Sequence, residues 1–107
     1  MTPSISEKLA DAITHAGEPP REIVEKLLLN VAGLCVAARN TDYVRASLDS
    51  WEASGACTAL GHARALDSAG AAFVNGTAAH GEDFDDTFEG GPIHAGAVIV
   101  PAVLAIS

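Results

Sequence analysis

Between Arg21 and Asn40 the chain reads "REIVEKLLLNVAGLCVAARN", and its apolar residues return every three or four positions, at Ile23, Leu27, Val31, Leu34 and Ala38. That period is the helical one and fixes the fold class more firmly than any other feature of the chain. Val24, Leu28 and Cys35 widen the stripe, which predicts a helix buried on two sides. Pro20 stands where a first helical turn tolerates proline. Ile5, Leu9, Ile13 and Ala16 trace an earlier helix, with Ser4 or Ser6 as N-cap and Gly17 as its stop. Thr41 can cap a third, carrying Tyr43, Val44, Ser47, Leu48 and Trp51. "ACTALGHARALD" is the least helical part and reads as a short extended segment or a surface loop. A fourth helix begins near Asp67 or Ser68. Asn75-Gly76 could mark a hairpin, but the alanines on both sides favour a helix that tolerates one glycine. The last segment, "AGAVIVPAVLAIS", is too short to span a bilayer and reads as a core helix with a kink at Pro101. It stops without a cap, a glycine or a charged last turn, so the chain reads as the front of something longer, cut inside that helix. The expectation is an all-α fold over residues 1–107.

Composition narrows the function classes. With 49% hydrophobic and 19% charged residues the chain is too apolar to be disordered, and 5% aromatic residues suit close-packed helices better than a β-sandwich. The net charge is −8, and Lys8, Arg21, Lys26, Arg39, Arg45 and Arg64 form no cluster. Nucleic acid and anionic membrane surfaces both require a basic patch, so neither is an expected partner. Cys35 and Cys57 have no metal-ligand spacing and read as inert thiols. "MTPSISEKLADAI" is not a secretory signal, which makes the cytoplasm the expected location.

Chemistry concentrates in "AAHGEDFDDTFEGGPIHAG", residues 78–96, where Glu82, Asp83, Asp85, Asp86 and Glu89 stand beside His80 and His94 without a lysine or arginine. On a helix, His80, Asp83 and Thr87 would share one face. Gly90, Gly91 and Pro92 would then turn the chain back and return His94 to it. The backbone N–H groups near Gly96, at the start of the next helix, would attract a carboxylate or phosphate. Three readings compete: a solvated acidic loop with Asp83 or Asp86 as caps, a cation site drawn from Asp83, Asp85, Asp86, Glu89 and the histidines, and a metal-free proton-transfer site. "DDTFE" also matches the magnesium–diphosphate pattern of helical isoprenoid enzymes. A calcium loop is excluded, because Phe88 stands where its glycine is required. Elsewhere, His15 reads as a dipole partner at a helix C-terminus, and His62 as solvent-facing.

"NGTAAHGEDFDDTFEGGPIHAGAVIVPAVLA" resembles the signature of the MmgE/PrpD family, which includes 2-methylcitrate dehydratase, cis-aconitate decarboxylase and iminodisuccinate epimerase. "LLLNVAGLCVAARN" and "TALGHARALDSAGAAFVNG" are similar to the family's preceding segments, and Ala95 departs from it where members often carry proline. The resemblance implies a homodimeric enzyme with a helical domain and an α/β lid, of which this chain would be the N-terminal helical part, the lid absent. It implies an active site lined by Asp83, Thr87 and His94, small di- or tricarboxylate substrates, and no cofactor or metal.

Reactions of that kind move a proton on a carbon beside a carboxylate, which takes an acid, a base and a group that holds enolate charge. His94 is the expected acid–base group, since imidazole exchanges protons near neutral pH. Thr87 would hydrogen-bond a substrate oxygen, and His80 and Gly96 would bind substrate. Charge balance sets a condition, because two like unit charges 4 Å apart repel by about 4 kcal/mol at an effective dielectric near 20. Cations must therefore come from sequence beyond these residues, and the chain alone is expected to be inactive. The rivals are a stand-alone helical dimerisation module and a magnesium-dependent isoprenoid-type fragment.

Overall fold

Ser4 starts the first helix, α1 (Ile5–His15), with a reciprocal cap. Its hydroxyl accepts from the Glu7 amide at 3.2 Å, and the Glu7 carboxylate accepts from the Ser4 amide at 2.7 Å. The exchange satisfies two amides that a helix end leaves orphaned, and the backbone bond from Ser4 is the main reason the Glu7 carboxyl sits below its ordinary value. The computed structural model describes residues 1–107. Ile5, Leu9 and Ile13 line one side of α1 as the period predicts, yet no residue of this helix is buried.

The next helix, α2 (Arg21–Ala38), corrects an expectation. Only its second half enters the core, through Val31, Cys35 and Ala38, while Ile23, Val24, Leu28 and Leu29 remain exposed. A helix of 18 residues is about 27 Å long at 1.5 Å per residue; its C-terminal half enters the core, while its N-terminal half only borders an apolar hollow that it shares with the last helix. In α3 (Asp42–Ser50), Thr41 occupies the N-cap position, but its hydroxyl donates backward to the Ala38 carbonyl at 2.7 Å instead of capping.

The ambiguous stretch is extended. β1 (Ser54–Thr58) and β2 (Ala65–Leu66) pair antiparallel, with Ser54 and Cys57 both opposite Leu66 across an irregularity. The molecule is therefore mostly helical with one small two-stranded sheet. Arg64 ties this hairpin to the end of α3 by donating to the carbonyls of Leu48 and Trp51. His62 beside it is half-buried and not solvent-facing, with Nε2 enclosed and unpartnered.

At the centre lies α4 (Ser68–His80), which buries Gly70, Ala71, Val74, Asn75, Ala78 and Ala79. Asp67 caps it: one carboxylate oxygen accepts from the Gly70 amide at 2.9 Å and from the Trp51 indole N–H at 2.8 Å. Asn75 lies inside the helix and not in a hairpin turn. Its amide donates to the Thr58 carbonyl at 2.9 Å and accepts from the Leu60 amide at 2.8 Å, which fastens the hairpin to α4. The final helix, α5 (Ala95–Ile106), continues through Pro101 and packs Gly96, Ala97, Pro101 and Ala105 inward, chiefly on α4. Small residues on both helices allow that close approach. No helix is long and apolar enough to cross a membrane.

Candidate active site

The predicted helical face over residues 80–87 does not form. α4 ends at His80, and the chain proceeds through turns to Ala95. Two local features mark the exit from the helix. The Tyr43 ring lies so close to Gly81 that a Cβ there would overlap it, and the Tyr43 hydroxyl donates to Glu82 at 2.8 Å. Asp83 then adopts φ 58, the left-handed region, with its amide donating to the His80 carbonyl at 2.9 Å. Aspartate is among the few side chains that visit this region readily.

The reversal nonetheless brings together much of what helical spacing suggested. His94 Nε2 lies 3.6 Å from Asp83 Oδ1, and its Nδ1 lies 3.4 Å from Asp85 Oδ1. His80 Nδ1 stands 3.2 and 3.1 Å from the two oxygens of Asp85. The two imidazole rings are 4.8 Å apart at 59°. Asp85 is the covered member, with its side chain wholly buried, whereas the Asp83 side chain is 76% exposed. The 3.4 Å contact is an ion-pair distance without hydrogen-bond alignment, so His94 Nδ1 is buried and lacks a formed hydrogen bond. His80 and His94 border an open hollow of about 500 Å³, whose walls include Phe73, Thr77, Ala97 and Val98.

Two predicted residues stand apart. Thr87 is exposed on the loop and does not border the hollow. The Gly96 amide donates to Asp86 Oδ1 at 2.9 Å, so the chain's own carboxylate occupies the helix terminus where a substrate carboxylate was expected. A Cβ on Gly96 would overlap that same oxygen, which ties the glycine to this internal cap. Asp85 entered the sequence reading only as one member of a cation set and not as a residue of the proton-transfer site. It is one of three aspartates within four positions, and no sequence period separates the one that turns inward.

The cluster can exchange protons through two imidazoles and two carboxylates. The same four side chains, His80, Asp83, Asp85 and His94, bring one ligating atom each within 4.8 Å of one another and form a donor set that a divalent cation accepts. It differs from the cation set read from sequence, since Asp86 is committed to Gly96 and Glu89 is exposed.

The profile of the MmgE/PrpD N-terminal domain matches residues 6–107, and the chain belongs to this family, which includes dehydratases and decarboxylases. Two curated sequences named cis-aconitate decarboxylase, both from Aspergillus terreus, are each 30% identical to it over 95 residues. Those alignments cover 82% of this chain and 19% of the relatives, so the chain spans about a fifth of their length. No solved structure matches.

Proposed function

We propose that this chain is the N-terminal helical part of a lyase or isomerase that acts on a small di- or tricarboxylate by acid–base proton transfer. The observation that carries the reading is His94, flanked by a carboxylate at each ring nitrogen and bordering an open hollow. Imidazole suits a proton moved at a carbon beside a carboxylate, because either of its forms is accessible near neutral pH. Asp83 faces the Nε2 side of the ring from solvent, where its charge favours the protonated imidazole over the neutral one. Thr87 offers a hydroxyl from the same loop, in space that the remainder of a longer protein would enclose.

The nearest protein charges are negative, so the substrate's counter-charges come from that remainder. The chain alone is therefore inactive, and the working enzyme is a homodimer of the longer polypeptide. In the longer protein, His94→Gln lowers kcat by about 10²–10⁴-fold, the usual contribution of a positioned acid–base group. Turnover of cis-aconitate and 2-methylcitrate, with products identified by NMR, provides the assay. Prior treatment with a chelator leaves the rate unchanged. A His94→Gln enzyme at full rate overturns the reading, and loss of activity on chelation transfers the cluster's role to a bound cation.

A further inference from the structure

We propose that Asp85 is the positioning residue of this site: a buried carboxylate that holds His80 and His94 by their Nδ1 atoms and thereby fixes which nitrogen of His94 exchanges protons. The inference rests on the reading of His94 as the acid–base group, but its central claim can be measured without turnover.

Burial is the first argument. Asp85 lies in a loop whose neighbours Asp83, Phe84 and Thr87 are exposed, yet its own side chain is completely covered. Removing a carboxylate from water is costly unless partners replace the solvent. No lysine or arginine forms an ion pair with it; the only side chains that meet its oxygens are the two imidazoles. A carboxylate has lone pairs enough to accept from both rings. Its present geometry favours His80 and leaves His94 Nδ1 enclosed at 3.4 Å, a few tenths of an ångström beyond a charge-assisted hydrogen bond of about 2.7–2.9 Å.

Tautomer choice is the second argument. An imidazole that donates Nδ1–H to a carboxylate carries its basic lone pair on Nε2. For His94 that nitrogen faces Asp83, whose side chain is largely open to solvent. Without Asp85, the enclosed Nδ1 has no acceptor, and the ring is free to turn or to place its proton on Nε2. Asp85 thus acts on the reaction through His94, and it performs the same service for His80.

The test is the ring nitrogen spectrum of the ¹⁵N-labelled protein, recorded where both histidines are neutral. His94 in the wild type is expected to show a protonated Nδ1 and an unprotonated Nε2. Asp85→Asn shifts His94 toward the opposite tautomer or a mixture. A wild-type His94 protonated at Nε2 overturns the proposal even if the variant fails to fold. A folded Asp85→Asn with an unchanged His94 spectrum overturns it as well. In the longer protein, Asp85→Asn lowers kcat by about 10–100-fold with little change in KM. Asp85→Asn at full rate beside an impaired His94→Gln sinks the positioning role alone, whereas a fully active His94→Gln sinks the acid–base reading and leaves the tautomer measurement standing.

Discussion

Asp83 carries two demands at once, a left-handed backbone and a carboxylate beside His94 Nε2. Substitutions separate them. Asp83→Asn keeps the conformational tolerance and removes the charge, so it preserves stability and weakens proton transfer. Asp83→Ala meets the steric cost of the left-handed region and loses about 1 kcal/mol in a denaturant titration. Equal stability of the two variants would show that the backbone at residue 83 relaxes. Cys35 poses a different problem. Burial pushes its thiol from 9.0 up to about 11, and the Sγ–H donates to the Asn75 carbonyl at 3.3 Å. The neutral thiol stabilises the fold below pH 9, and that contribution fades between about 9 and 11, as the unfolded chain ionises first. The melting-temperature gap between wild type and Cys35→Ala accordingly narrows as pH rises through that range. At this scale the sequence exposed the types of site residue but not their aim. Asp83 and His94 were legible from composition and resemblance. Asp85 was not, because which of several adjacent aspartates turns inward depends on a left-handed residue two positions earlier.

Helix ends were the most readable elements, because capping is local chemistry. Ser4 and Asp67 each accept an amide of the first turn, as their residue types imply. Asp67 does more, since the same oxygen accepts from Trp51. Asp67→Ala removes the cap and strands the half-buried indole N–H, with an expected loss of about 1–2 kcal/mol. Asp67→Asn retains an acceptor and should lose less, and thermal unfolding of the pair measures the difference. The β-hairpin was less legible, because alanine and single glycines give strands no alternating pattern to read. Its position depends instead on a distant residue, Asn75 on α4, which binds Thr58 and Leu60. The helix predicted through residues 80–87 failed at one backbone position: Gly81 still bonds back to Thr77 in helical conformation, but Asp83 turns into the left-handed region and the chain leaves the helical path there.

The molecule as a whole leaves a large amount of apolar surface uncovered. Val24 and Leu28 of α2 face Ile99, Val103 and Leu104 of α5 across an entirely apolar hollow of about 250 Å³, and α1 shows Ile5, Leu9 and Ile13 to solvent. Contiguous exposed apolar surface of this kind marks an interface or an aggregation hazard. The chain spans 19% of its curated relatives, so a longer polypeptide has ample sequence to cover these faces. A self-sufficient dimerisation module would cover them with a second copy instead. The two differ in what a charge does. If the faces belong against other parts of a longer protein, the chain alone elutes from gel filtration as broad, concentration-dependent species and binds a hydrophobic dye. Ile99→Lys with Val103→Glu then narrows the profile toward monomer and reduces dye binding without loss of helicity, because both side chains are exposed and lie outside the buried cluster. In the longer protein the same pair of substitutions would destabilise the fold, by burying charge. A wild-type chain that runs as one discrete dimer, binds no dye and unfolds on this double substitution would instead make α5 the contact of a self-contained module.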